Sequence, residues 1–184
     1  MPKAFEAPQS TADPDTRPSF SVGNGFVAHL TLPSAWRVVE NSVADFGYDE
    51  GALVAIPESE TRSVEQLATE ISRKSSEARS GTTTRLIIVH VNPECGTSSE
   101  KGQKFFQGSD EPNLAPFTTT VDSKPITDHS GNALKTSSWH GGVGLGGSKC
   151  GMVYGGEFGL APQTTTAELA RLIFESIIFA PTPK

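Results

Sequence analysis

The sequence lacks both the long hydrophobic runs of membrane-spanning proteins and the basic clusters of nucleic-acid-binding proteins. No stretch of its 184 residues approaches the roughly 18 consecutive apolar residues that a transmembrane helix needs, and the N-terminus has no apolar signal-peptide core. Lys and Arg number 15 against 21 Asp and Glu, which gives a net charge of −6. Because nucleic-acid binding needs a basic surface, we expect no nucleic-acid partner, and membrane contact only through an anchor that has been removed.

Cysteine is scarce, since Cys95 and Cys150 are the only two. Two thiols cannot build a closed zinc site alone, and the four histidines show neither an i,i+4 pair nor a CxxC partner, so we expect no metal and no cofactor. The two thiols are either a disulfide, typical of an oxidising compartment, or buried free thiols in a cytosolic protein. We predict the disulfide, because it would attach two glycine-rich segments, 92–116 and 141–151, to the sheet.

The length suits one domain with one core. Residues 1–19 contain four prolines among Ser, Thr, Asp and Gln, a composition that cannot bury enough surface to become ordered. We predict a disordered tail over 1–19 and a single α/β domain over 20–181. The tail is interpreted as a spacer between a membrane anchor and the domain, or as a cytosolic arm if Met1 is native.

Period-2 alternation and β-branched runs predict a largely antiparallel sheet. The predicted strands are 26–32, 36–39, 52–56, 86–91, 118–121, 133–139 and 152–158. The strand at 86–91 is expected to be central, because apolar residues run through it without alternation. Residues 92–116 are predicted to be a long loop, and the glycine run 141–147 is predicted to be a flexible hairpin connection.

Two amphipathic helices are predicted, at 63–79 and 166–179. Ser63 and Gln66 have the spacing of a capping box, in which a hydroxyl and an amide satisfy free backbone donors, and Thr165 and Glu168 repeat it. The fold class that follows is α+β, an antiparallel sheet with two helices packed on it. The predicted core residues are Leu67, Ile71, Ile88, Leu172 and Ile173.

Two sequence features suggest chemistry, and both have simpler explanations. Gly142 to Gly147 matches GxGxxG, but no helix is predicted after it, as a dinucleotide site requires. Cys150 with His140 or His129 could form a thiol nucleophile and its base, but the sequence offers no helix N-terminus to stabilise a thiolate there. We therefore predict no catalytic residues.

The aromatic residues give the candidate binding surface. We assign it to Trp36, Phe105, Phe106, Trp139 and His140. Tryptophan often lines ligand grooves and interfaces, although the two tryptophans lie in strand-like segments, where tryptophan more often belongs to the core.

The order of elements resembles the PsbP-like superfamily, which includes DcrB-type and LpqN-type bacterial proteins. The resemblance covers roughly residues 20–180. It rests on four short segments: Leu32-Pro33-Ser34-Ala35-Trp36, Ala52 to Pro57, the helix beginning Ser63-Val64-Glu65-Gln66-Leu67, and the closing helix from Glu168-Leu169-Ala170-Arg171-Leu172-Ile173 to Ser176-Ile177-Ile178-Phe179. It implies a PsbP-like α/β/α sandwich and no catalytic residues.

Because members of this superfamily mostly bind other proteins, the resemblance implies a protein partner. We expect a non-enzymatic binding or accessory domain, tethered like a lipoprotein in the periplasm or cell envelope. The first alternative is a secretion chaperone or toxin-immunity protein that binds one effector, and the second is an enzyme that uses Cys150 or a histidine.

Overall fold

The computed structural model shows how the chain folds over most of its length. It describes residues 18–32, 34–39, 52–71, 78–96, 100–107, 117–160 and 167–184. Residues 1–17, which make up most of the predicted tail, and Thr165 of the second predicted capping box lie outside this part.

Twelve strands and two short helices are present in the described residues. The strands are β1 (Ser19–Gly23), β2 (Phe26–His29), β3 (Trp36–Val39), β4 (Leu53–Pro57), β5 (Thr84–Asn92), β6 (Lys104–Gln107), β7 (Phe117–Thr118), β8 (Thr120–Val121), β9 (Lys124–Pro125), β10 (Lys135–Gly146), β11 (Lys149–Gly159) and β12 (Ile178–Pro181). The helices are α1 (Val64–Ile71) and α2 (Ala167–Glu175).

The strands form three sheets. The largest has the order β3-β4-β5-β11-β10-β6, with β7 also paired to β10, and its neighbours are antiparallel. A second sheet has the order β1-β2-β12, and β8 and β9 form a small third one. As predicted, β5 lies in the interior of the large sheet, between β4 and β11.

The core is divided by the large sheet into two main clusters. On one face, Val22 and Ala28 of the second sheet and Phe174 of α2 pack against Val89 and Val153 of the large sheet. On the other face, Leu67 of α1 packs with residues of β4 and β5, among them Ile88. Sheet packing on sheet therefore forms the larger cluster, and each helix adds to one side.

The prediction of an α+β fold with two helices packed on one sheet is wrong. The described residues are mostly β, with three sheets and two helices, and the helices have only eight and nine residues. The reason lies in the C-terminal segment, where Ile178 and Phe179 continue the apolar pattern of α2 but pair with β2 as a strand. An apolar run this short fits a buried strand as well as a helix.

The helix boundaries and part of the predicted core also need correction. The predicted helix 63–79 is described only as far as Ile71, and Arg79 already lies in a bridge to Asp128. Leu67 and Ile88 are buried as predicted, whereas Leu172 is 39% exposed and the prediction for it is wrong. Ile173 is partly buried against the core. The side chain of Ile71 lies outside the described residues.

The glycine run 141–147 is not a flexible connection. Its residues up to Gly146 belong to β10, which pairs with β11 from Lys135↔Gly159 to Gly146↔Lys149. The chain reverses only at Gly147 and Ser148, whose φ angles of 58° and 66° fit a two-residue type I′ turn. The glycines in the strand are instead required where aromatic rings cross the hairpin, because a Cβ on Gly141 would collide with Phe174.

The predicted loop 92–116 contains a strand. β6 pairs with β10 along Val143↔Lys104 to His140↔Gln107, and Gly102 donates a backbone hydrogen bond of 2.9 Å to Gly144. Four residues between polar segments carry too short a pattern to show alternation. The predicted strand 118–121 is likewise split into β7 and β8.

Two local predictions are confirmed. The backbone N–H of Ser63 donates to Oε1 of Gln66 at 2.8 Å, and the N–H of Gln66 donates to Oγ of Ser63 at 3.2 Å, so the first capping box is formed. Cys95 and Cys150 form the predicted disulfide, with their Cα atoms 6.0 Å apart. The bond links the segment after β5 to the start of β11.

Candidate functional site

Strand alternation separates the predicted binding residues onto opposite faces of the large sheet. Neighbouring residues of a strand point to opposite faces. The side chains of Phe105 and Phe106 therefore lie on opposite faces of the sheet, as do those of Trp139 and His140. Phe106 and Trp139 pack with the larger core cluster. Phe105 and His140 lie on the other face.

Trp139 and Phe106 belong to the core side. Trp139 is only 5% exposed, and its ring lies so close to Gly155 of β11 that a Cβ there would collide with it. The ring of Phe106 lies 5.9 Å, centroid to centroid, from both Trp139 and Phe174. These aromatic residues hold α2 against the sheet.

Trp36 lies apart from the other four predicted residues. It begins β3, the outermost strand of the large sheet, and three strands separate it from β10. Its ring is partly buried against the larger core cluster. The structure therefore does not bring the five predicted residues into one surface.

Phe105 and His140 instead form part of a ladder of aromatic rings that crosses four adjacent strands. His90 stacks on Tyr154 with ring centroids 5.6 Å apart and planes 9° apart, and Tyr154 stacks on His140 at 5.7 Å and 27°. Phe105 meets His140 edge-on at 6.5 Å. We call the side of the sheet that carries these four half-buried rings the aromatic face.

The register explains why the rings meet. Tyr154 of β11 lies opposite His140 of β10, and β5 places His90 opposite Met152, one position along the same face. Phe105 lies opposite Gly142, where a Cβ would collide with its ring. The bare glycine lets the phenyl ring lie over the neighbouring strand, which fixes Phe105 beside His140.

The aromatic face carries no carboxylate, ammonium or guanidinium group on its three longest strands. The residues that share it are Thr84, Leu86, Ile88, His90 and Asn92 of β5; Cys150, Met152, Tyr154, Gly156 and Phe158 of β11; and Thr136, Ser138, His140, Gly142 and Gly144 of β10. Arg85 and Glu157 lie at alternate positions on the opposite face, with Nε and Oε1 4.0 Å apart. In a chain with 36 charged residues, 15 basic and 21 acidic, the part of this face that β5, β11 and β10 form is set apart by its neutrality, and Arg37 shares the face only on the outermost strand, β3.

Burial lowers the pKa of His90 below its ordinary value of 6.5, against the smaller opposing effect of a hydrogen bond to the backbone of Val91. Removing the imidazole from water disfavours its cationic form. His90 is therefore held neutral at neutral pH, which suits a ring that stacks on a phenol.

The burial of His90 predicts a loss of stability in weak acid. The unfolded chain takes up a proton near pH 6.5, whereas the folded protein resists until a lower pH, so the free energy of unfolding should fall as the pH drops from about 7 to about 5.5. His90→Phe keeps a stacking ring without a titrating group and should flatten this slope. Urea unfolding across that pH range measures it.

The native protein, measured over the same pH range, is the comparison for this variant. Three carboxyl groups have lowered pKa values: Glu60 through Arg62, Glu65 through its own backbone N–H, and Asp128 through Asn132. Their contributions to stability change only below the ordinary pKa values of 4.5 for Glu and 3.8 for Asp, outside this pH range. An unchanged slope in His90→Phe would show that His90 does not titrate as its burial indicates.

His90 and Tyr154 were not identified from the sequence. His90 lies in an apolar run and Tyr154 follows Met152 and Val153, so each looks like an ordinary strand residue. Only the pairing of β5 with β11 places them beside His140. Each of the three strands, β5, β11 and β10, carries only one His or Tyr residue, so no repeated spacing marks them in the sequence.

The features considered for catalysis are used structurally. Both cysteines are in the disulfide, so neither carries a free thiol. The GxGxxG segment runs along β10 into a turn and then β11, not from a strand into a helix as a dinucleotide site requires. In the part of the chain that the structure describes, no group of three or more His, Cys, Asp or Glu is placed to hold a metal ion.

No helix among the described residues is long and apolar enough to cross a membrane. Comparison of the chain with protein-family models, with curated proteins and with solved structures finds no match. The resemblance to the PsbP-like superfamily stays a prediction, and the function has to be argued from the residues themselves.

Proposed function

We propose that this protein is a non-enzymatic binding domain that works outside the cytoplasm and binds a protein partner through its aromatic face. The observation that carries the proposal is the neutrality of this face together with its ladder of half-buried rings. Interface centres are depleted in charge and enriched in Tyr, Phe and other aromatic residues. Rings held by stacking lose little side-chain entropy when a partner covers them.

The disulfide supports the extracytoplasmic part of the proposal. Cytosolic proteins keep their thiols reduced, and a bond between segments 55 residues apart in sequence is typical of exported domains. The N-terminal segment before β1 would then be the tether to the cell envelope, as in a lipoprotein.

Photo-crosslinking in the cells that make the protein tests this proposal. A benzophenone amino acid at Phe105 should capture one distinct partner protein in the periplasmic or envelope fraction. The same probe at Leu172, an apolar residue of α2 that is 39% exposed, samples the opposite side of the sheet and should not capture that partner.

The variant Tyr154→Ser should weaken the crosslink at Phe105 without changing export. Capture of the same protein from both probe positions, or capture of none from Phe105, would contradict the proposal. A partner found only in the cytoplasm would favour the alternative of a secretion chaperone or an immunity protein.

A further inference from the structure

A separate cavity lies on the opposite side of the large sheet, where the second sheet, α2 and the ends of β6 and β10 meet. Its volume is about 340 Å³, within the range of roughly 300–1,000 Å³ that small-molecule sites occupy. The apolar side chains that line it include Phe26, Val143, Leu145, Phe174, Ile177 and Phe179.

Three phenyl rings from three different elements converge on this cavity. Phe26 comes from β2, Phe174 from α2 and Phe179 from β12. Phe174 and Phe179 are held in place because they lie on Gly141 and Gly151, where a Cβ would collide with each ring. The ring walls are thus fixed by the sheet before any ligand arrives, which lowers the entropy lost on binding.

The charged residues at the cavity are mainly basic. Lys101 and Lys104 line it, against the single carboxylate of Glu175. Lys104 lies opposite Val143 in the register of β6 and β10, so its side chain is on the cavity side of the sheet. Neither lysine forms a salt bridge with any described residue. In a chain of net charge −6, two unpaired ammonium groups beside an apolar cavity favour an anionic group there.

The side chains that line the cavity favour an aromatic over an aliphatic ligand. Aliphatic side chains contribute to the lining, among them Val143 and Leu145, but three phenyl rings also face the cavity. Aromatic pairs prefer edge-to-face and offset-stacked arrangements with centroids 4.5–7 Å apart, which contribute about 0.5–1.5 kcal/mol beyond burial of area. A flat ring system surrounded by three phenyl groups can make several such contacts at once.

We propose that this cavity binds a compact aromatic acid, with its ring system among Phe26, Phe174 and Phe179 and its carboxylate held by Lys101 and Lys104. The site is independent of the aromatic face, since it lies across the large sheet from it. The ligand-binding proposal can therefore be tested separately from the proposed protein-binding function.

Calorimetric titration of the full chain with 2-naphthoate tests the proposal, with 2-naphthalenemethanol as the neutral analogue and decanoate as an aliphatic acid. We expect saturable binding of one naphthoate per chain and at least tenfold weaker binding of both comparison compounds. The double variant Lys101→Glu, Lys104→Glu should weaken naphthoate by at least tenfold and remove its advantage over the alcohol, because charge-assisted contacts are lost. Lys124→Glu, an exposed lysine of β9, should leave naphthoate binding unchanged.

Two cavity-filling variants locate the site. Leu145→Trp and, separately, Val143→Phe should each abolish naphthoate binding while keeping the melting transition of the native protein, and Leu160→Trp on the surface should not affect binding. Two variants are used so that a folding defect in one leaves the test intact. Absence of saturable naphthoate binding, or undiminished binding in a well-folded filling variant, would overturn the proposal. Tighter binding of decanoate than of naphthoate would overturn the aromatic assignment.

Discussion

Replacing Gly155 by alanine is expected to destabilise the protein by about 3 kcal/mol, because overpacking a rigid core forces side chains and backbone to shift. A Cβ at this position would lie inside the space that the ring of Trp139 occupies. That ring is 5% exposed and contacts the core cluster that joins the large sheet to the second sheet. It cannot move without disturbing both layers.

Gly156 provides the matched control, because it is the next residue of the same strand and points to the other face. The nearest atom to a Cβ there is the backbone oxygen of Ser137, at 3.9 Å. Gly156→Ala should therefore cost nothing and could add a few tenths of a kcal/mol, since alanine restricts the unfolded chain. Urea or thermal unfolding of the two variants measures the difference, expected near 10 °C in melting temperature.

A double-mutant cycle identifies the cause of this loss. If the collision with the indole is responsible, Trp139→Leu should destabilise the native protein but leave Gly155→Ala with little further effect. Equal losses in Gly155→Ala and Gly156→Ala would contradict this explanation and would indicate that β11 needs glycine for its backbone conformation.

Reduction of the Cys95–Cys150 disulfide is the second change with a large expected effect. The bond closes a loop between residues 55 apart in sequence, and the chain-entropy model assigns such a loop about 4 kcal/mol of stabilisation. Cys150 is 1% exposed and Cys95 donates its backbone N–H to Ser148 at 2.8 Å, so both ends are already held in position. The melting temperature should fall by about 10 °C when reductant is added.

The comparison is cleanest with the native protein in the presence and absence of reductant, because no atom of the side chains is removed. The double variant Cys95→Ala, Cys150→Ala should melt near the reduced protein and should no longer respond to reductant. A melting temperature that is the same in both redox states would show that the bond does not stabilise the fold, and would weaken the extracytoplasmic assignment.

Local features were predicted well because they depend on residues that are close in sequence. The capping box of Ser63 and Gln66 needs only a four-residue segment. The interior position of β5 follows from its uninterrupted apolar residues, since a strand covered on both faces needs no alternation. The disulfide is not local, but two cysteines allow only one pair, and it was predicted because it would attach two glycine-rich segments to the sheet.

The candidate site was predicted only in part. Phe105 and His140 were among the five aromatic residues assigned to the binding surface, and both lie on the aromatic face. Trp139 and Phe106, selected by the same reasoning, lie in the core on the opposite side. Which face a strand residue occupies depends on one residue of register, and neither sequence position nor residue type reveals it.

The amino-acid sequence by itself determined where the chain can begin a helix, which strand is covered on both faces and which cysteines can pair. The first two depend on local patterns, and two cysteines allow only one pair. The tertiary structure decided that the glycine run is a strand. Gly141, Gly142 and Gly155 are bare because the rings of Phe174, Phe105 and Trp139 lie on them, and these rings come from other elements or from opposite positions in the hairpin. It also decided that Ile178–Pro181 ends the chain's apolar pattern as a strand, since this segment pairs with the edge of β2 that faces away from β1. Glycine in isolation favours disorder, and only distant aromatic side chains make it the residue that the sheet requires.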